Sequence, residues 1–352
     1  MAEGDGDGGG RPTLAEKRAF LESGAAWPGE PRPDCVETHA SLVFLTRDRA
    51  WKLRKPVRLV HVDQRRLQAR ERLCRAELRV NSEMPGHVYR GMTPLVQRDG
   101  GGLAVGGQGR VVDWLVETVR LPAGDMLDRR LLRGPPPSGE EIGRACDLLV
   151  RFYRERPPEA DGARIFHDRL RGDIRIARRH LRDMAPAIGM DAPARVLDAA
   201  ERAIRLCRDE ILERGETGLI VEGHGDLRAE HVCLGDPPVV FDRLEIDHGL
   251  RVMNPFHEVN ALGLECALLG AGWIRERLLA ALSQQVARPS PRLLTAYGAV
   301  SCLTRARIAA DHFRDAVVPT PLKWRKTTRD HVVMATRLLE PEAMRKGELG
   351  AR

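Results

Sequence analysis

The chain has 352 residues, enough to bury a sizeable core and to form two lobes or domains. Its hydrophobic fraction of 42% and charged fraction of 30% fit a globular protein facing water, and no apolar run approaches the roughly 20 residues that span a bilayer. The net charge of +7 comes from arginines interleaved with glutamates, without a basic tail or aromatic-basic stripe, which argues against a nucleic-acid partner. The opening MAEGDGDGGG has neither the basic nor the apolar region of a signal peptide. Seven scattered cysteines (Cys35, Cys74, Cys146, Cys207, Cys233, Cys266, Cys302) form no CxxC pair, so they read as reduced thiols in a cytoplasmic protein and argue against a zinc site.

Residues 1–11 are Gly/Asp-rich and predicted disordered. Thr13 caps a short helix through Ser23, with Leu14, Ala15, Phe20 and Leu21 on its apolar side. Val43-Phe44-Leu45 and Ala50 to Leu53 flank the turn Thr46-Arg47-Asp48-Arg49 as an antiparallel hairpin. Lys52 lies in the second strand, where the usual reading is an edge-strand charge facing solvent. Asp63 to Met84 reads as one amphipathic helix with Glu77 on the stripe of Leu73, Cys74, Val80 and Met84. A carboxylate on an apolar stripe needs a partner. Lys52 suits that role, and Glu71 and Glu83 compete with Glu77 for the helix position. Further strands follow from Val88 to Leu121, with a Gly-rich turn at Gly100 to Gly102.

After Asp125 the pattern is mainly helical. Ser138 and Glu141 form a capping box ahead of Ile142, Ala145, Leu149 and Phe152. Asp191 and Pro193 start a helix toward Leu212, and Pro255 opens another through Leu269. Pro291 to Phe313 and Asp330 to Leu339 complete the helical part, and residues 341–352 read as a polar tail.

Between these helices lies the stretch Gly218 to Asp247. Leu219-Ile220-Val221 leads through Gly223 to His224-Gly225-Asp226, and Val239-Val240-Phe241 delivers Asp242. Such short apolar runs read as buried strands. The expectation is a hairpin-like platform carrying two carboxylates at one edge, suited to holding a divalent metal and deprotonating a hydroxyl.

His224 to His231, HGDLRAEH, resembles the catalytic loop of aminoglycoside phosphotransferases and other small-molecule kinases with the protein-kinase fold. Residues 36 to about 313 resemble uncharacterised bacterial enzymes grouped with that family. The resemblance implies an α+β, protein-kinase-like two-lobed fold: a small β-rich N-lobe at 12–118 and a larger helical C-lobe at 119–340. It implies ATP and Mg2+ as cofactors and a small-molecule hydroxyl as acceptor. Asp226 takes the place of the catalytic base, Arg228 that of a phosphate-contacting lysine, and His224 counts with them among the catalytic residues. Asp242 matches the metal-binding aspartate, and His231 falls in the second metal-ligand slot. Lys52 and Glu77 match the phosphate-binding lysine and the glutamate that orients it. Thr38, His39 and Ser41 stand in the nucleotide-covering loop, while Glu117 and Val119 fall at the hinge where main-chain groups meet adenine.

Four departures mark the chain. The loop at Thr38 lacks the glycines that let backbone amides approach phosphate. His231 replaces a metal-binding asparagine, although magnesium prefers oxygen. Asp242 is followed by Arg243 instead of Phe-Gly, and His257 replaces an aspartate that braces the catalytic loop, leaving Glu258 as the alternative brace.

The leading expectation is therefore an ATP-dependent phosphotransferase. A second reading is a metal-dependent phosphohydrolase using His224, Asp226, His231, Asp242, Asp247 and His248. A third is a kinase-shaped nucleotide-binding protein without catalysis. The acceptor is not identified: Asp125 to Arg130 and His167 to Arg171 are charged, but solvated helix faces are their default reading.

Overall fold

A computed structural model describes residues 10–314, 318 and 320–340; the predicted tail at 341–352, and all of the predicted N-terminal tail except Gly10 and Arg11, lie outside them. The chain divides into two compact units, Met1–Leu121 and Pro122–Arg352.

In the first unit, α1 (Leu14–Glu22) begins at a capping box in which Thr13 and Glu16 satisfy each other's backbone amides. Next come β1 (Asp34–Glu37), β2 (Ser41–Leu45), β3 (Arg49–Arg54), α2 (Leu67–Ser82), β4 (Tyr89–Gln97), β5 (Leu103–Val105) and β6 (Arg110–Val119). The strands form one sheet in the order β1-β2-β3-β6-β4-β5, antiparallel throughout. The hairpin register sets Val43 opposite Lys52 and Phe44 opposite Trp51. Strand alternation sends Leu42, Phe44, Leu53 and Leu115 into a core with Leu21 and Trp27. β3 lies inside the sheet, so Lys52 is not on an edge strand. α2 starts later than the periodicity suggests, at Leu67 instead of Asp63. The Asp63 carboxylate instead accepts from the backbone amide and guanidinium of Arg65, and Asp63 bridges to Arg58.

In the second unit, α3 (Leu127–Leu132), α4 (Gly139–Arg154), α5 (Gly162–Ile188), α6 (Ala194–Leu206) and α7 (Arg208–Glu216) precede four two-residue strands. These are β7 (Val221–Glu222), β8 (Val232–Cys233), β9 (Val239–Val240) and β10 (Val252–Met253). α8 (Pro255–Leu268), α9 (Gly272–Ser283), α10 (Pro291–Asp311) and α11 (Pro321–Leu339) follow. The Ser138–Glu141 capping box starts α4 as its residues require. The helix expected from Asp191 to Leu212 is two helices, broken at Cys207. α5 contributes Phe166, Leu170, Ile174, Ala177 and Leu181 to the main core, at the three-to-four spacing of one helix face.

The expected hairpin platform is not what forms. β7 pairs with β10, and β9 pairs with β8. The two apolar runs therefore belong to separate two-stranded sheets. No helix among the described residues is long and apolar enough to cross a membrane.

Candidate functional site

Within the first unit, Lys52 and Arg54 share one face of β3, since residues two apart in a strand point the same way. Lys52 Nζ donates to Glu77 Oε1 at 2.9 Å, and Arg54 pairs with Glu77 Oε2. Glu77 is fully buried, while the Lys52 side chain keeps 22% of its exposure. The Tyr89 hydroxyl also donates to Glu77, at 3.4 Å. Among the three glutamates the sequence offered, Glu77 is thus the lysine's partner. Glu71 instead pairs with Arg75 on the exposed side of α2. Arg54 was missed; period-two alternation from Lys52 would have found it.

The Thr38 turn is closed by hydrogen bonds of its own. The Ser41 amide donates to Thr38 Oγ1 at 3.0 Å, and the Thr38 amide donates to the Ser41 carbonyl at 2.9 Å. Thr38 and His39 are exposed, whereas Ser41 is only 2% exposed. At the end of β6, the Val119 amide donates to the Val88 carbonyl at 2.9 Å, so it is not free to meet a base, and the Glu117 carboxylate is ion-paired with Arg49.

Within the second unit, the His224-Gly225-Asp226 turn is built around Glu258 in the first turn of α8. That carboxylate accepts from the amides of His224 (2.8 Å) and Gly225 (2.6 Å) and from the Tyr153 hydroxyl (2.6 Å). It is 4% exposed, and three donors offset the cost of burying it. Asn254 caps α8 through the Phe256 amide and donates to the Leu219 carbonyl, joining the helix start to the chain entering the loop. Glu258 is therefore the brace. His257 faces elsewhere, its Nε2 3.2 Å from the Ser301 hydroxyl. Gly225 is required here: its φ is +90°, and a Cβ would lie 2.9 Å from Arg251 Cγ and Leu244 Cβ.

His224 is fully buried. Its Nε2 lies 2.8 Å from the Phe241 carbonyl, which only accepts, so Nε2 carries the proton and Nδ1 faces the Asp226 amide at 3.4 Å. Burial pushes its pKa below the usual range and keeps it neutral. Both nitrogens are occupied, so the geometry gives His224 a loop-holding position. His231 links the two aspartates. Its Nδ1 donates to the Asp226 carbonyl at 2.7 Å, and its Nε2 lies 3.6 Å from Asp242 Oδ2. Asp242 adopts φ +62°, a conformation unusual for a side-chain-bearing residue and concentrated at functional positions. The following Arg243 is fully buried and donates to the Gly223 (2.9 Å) and Glu222 (3.3 Å) carbonyls.

Asp226 Oδ1 accepts from Arg305 Nη2 at 2.5 Å, and its side chain is 34% exposed. Burial pushes its carboxyl up, but Arg305, His231, Arg228 and His224 together outweigh this and hold it below the ordinary range. Arg228 is paired with Glu230 and, at 3.5 Å, with Glu265, whose other oxygen accepts from the Ala229 amide. Burial opposes the charge on Arg228, yet these two acids raise its pKa. Arg305 and Glu265 were not anticipated; 79 residues separate Arg305 from Asp226, and no local pattern announces that contact.

The six residues of the hydrolase reading do not converge. Asp247 caps the Gly249 amide, and His248 faces Glu159 at 3.2 Å. The described residues hold one three-ligand cluster, Glu159, Glu222 and His248, and its Glu222 is already paired with Arg251 and Arg243.

No family model matches the chain. Uncharacterized proteins of Mycobacterium tuberculosis and Mycobacterium bovis are 26% identical to it over 332 residues, covering 91% of this chain and 62% of theirs. The chain thus spans less than two thirds of these relatives. Among solved structures, a choline/ethanolamine kinase family protein from Mesorhizobium loti superposes with a TM-score of 0.50 at 16% identity, covering 93% of this chain and 95% of that one. A choline kinase from Cryptosporidium parvum also reaches 0.50, at 9% identity, covering 94% and 98%. The chain has the protein-kinase-like fold expected from its sequence.

Proposed function

We propose that this chain is an ATP-dependent phosphotransferase that moves the γ-phosphoryl group onto a hydroxyl of a small molecule. The observation that carries the reading is His231 between two aspartates: it bonds the backbone of Asp226 and faces the carboxylate of Asp242, in a loop that Glu258 fixes. The fold is supporting background, since it hosts more than one activity.

In this reading Asp226 orients the acceptor hydroxyl and takes its proton late, as the phosphoryl group moves. A carboxyl held below its ordinary pKa is a weak base, which suits a loose transition state. Lys52, aimed by Glu77, steadies the nucleotide phosphates. In this reading Arg228 leaves its partners Glu230 and Glu265 to offset charge on the transferred group. Asp242 is an oxygen donor with 35% of its side chain exposed and fits a magnesium ion; His231 offers nitrogen, which suits manganese or zinc better. A bound divalent ion supplies charge neutralisation at the triphosphate.

The test is an ATP-consumption screen over sugars, nucleosides, amino-alcohols and hydroxy acids. Asp226→Asn is expected to lower turnover by about a thousandfold or more while ATP affinity changes little. Unchanged turnover in that variant ends the assignment. A nucleotide-binding protein without turnover is the second reading, favoured by the Arg305 bond on Asp226. Thermal stabilisation by ATP without consumption on any acceptor supports it.

A further inference from the structure

Arg305 enters the site from α10, and its contact with Asp226 is the one side-chain hydrogen bond it makes among the described residues. A guanidinium carries five N–H donors in a planar fork. One is used here, and the side chain retains 22% exposure. The neighbouring Arg228 is different, since Glu230 and Glu265 neutralise it. The cavity beside Arg305 is lined by Leu227, Leu264, Ser301, Cys302, His331 and one carboxylate, Glu265, which is taken up by Arg228 and the Ala229 amide; burial pushes the His331 pKa down, toward the neutral imidazole.

We propose that Arg305 selects the acceptor: the molecule phosphorylated carries a carboxylate or phosphate close to its reacting hydroxyl, and Arg305 holds that oxyanion. The inference rests on the phosphotransferase reading above. Arg305 occupies Asp226 Oδ1, so Oδ2 is the oxygen left to the hydroxyl. A hydroxyl on Oδ2 and an oxyanion on the guanidinium fork can be offered together by one small molecule, such as a hydroxy acid or a hydroxyalkyl phosphate. An oxyanion there completes the guanidinium fork, whereas an ammonium group at the same place meets a like charge.

Matched acceptors decide it, using the full chain with ATP and a divalent ion. Glycerate and 3-hydroxybutyrate form the carboxylate arm, glycerol 3-phosphate the phosphate arm, and ethanolamine and 3-amino-1,2-propanediol the cationic arm. The expected result is a kcat/KM about tenfold or more higher on one anionic arm than on the cationic arm. Arg305→Ala should raise the KM for that acceptor about thirtyfold or more, with the KM for ATP unchanged, and Arg305→Lys should recover part of the loss. A melting curve confirms that both variants fold. Preference for the cationic arm, or an unchanged acceptor KM in Arg305→Ala, overturns the inference. If the chain hydrolyses ATP but phosphorylates neither anionic arm, the clamp fails and the phosphotransferase reading is judged by the wider screen. If it consumes no ATP under any condition, both fail.

Discussion

Two buried carboxylates in the sheet unit have nearly the same partners and different surroundings. Glu77 is held by Lys52 and Arg54; Asp113 is held by Lys17 at 2.9 Å and by Arg70 through both of its oxygens. Around Asp113 everything is closed: the lysine side chain is 9% exposed and the arginine 5%. That cluster ties α1 and α2 to β6, and Lys17 also donates to the Val112 carbonyl. Around Glu77 the arginine is as deeply buried, at 4%, but the lysine remains 22% exposed. A charge network in which every member is sealed can serve structure alone. One that leaves a cation at the surface can still meet a ligand.

The largest effect expected from this contrast is on Asp113. Asp113→Asn strands two buried cations and should cost about 3–5 kcal/mol of unfolding free energy. Turnover per folded molecule should stay within about threefold. Urea unfolding beside an ATP assay measures both, and a large fall in turnover at intact stability would break the contrast. Lys52→Met should do the reverse: about a hundredfold loss in kcat/KM for ATP, with no more than about 1 kcal/mol of stability, because Arg54 still neutralises Glu77.

Acidification should act on the helical unit. His224 is fully buried and held neutral, with its folded-state pKa depressed. Its contribution is complete above the unfolded value of roughly 6.5 and is lost as pH falls toward the folded value, because unfolding then takes up a proton. Protection against hydrogen exchange at the His224–Asp226 amides should fall as pH drops below about 6.5 while β3 stays protected. The smallest change concerns Glu141, whose pKa is lowered to about 2 by Arg130 and by the Ser138 backbone amide. Its stabilisation is present above its usual value and fades as pH falls toward 2. Glu141→Gln should cost about 1 kcal/mol at pH 7, and the gap to the native protein should close in acid.

What could be read from the residues divides along physical lines. Glu77 was legible because a carboxylate on an apolar helix stripe has one solution, a buried cation, and Lys52 was the strand residue at hand. The capping boxes at Thr13 and Ser138 were legible because their chemistry lies within four residues. The pairing of Val221 and Val239 was not. Strands of two residues carry no alternation, and their partners are chosen by turns elsewhere, so a false hairpin looked reasonable. α5 was hidden by its arginines, which interrupt the apolar stripe. Glu258 was half-legible as a substitute brace, while Arg305 lay beyond any local signal.

Arg243 follows Asp242 in sequence and is fully buried. Its guanidinium sits on the Gly223 and Glu222 carbonyls and beside the Glu222 carboxylate. The residue after one aspartate is thereby anchored to the chain just ahead of the other. An outward swing of Asp242 would have to break that root, which makes this segment a fixture of the loop.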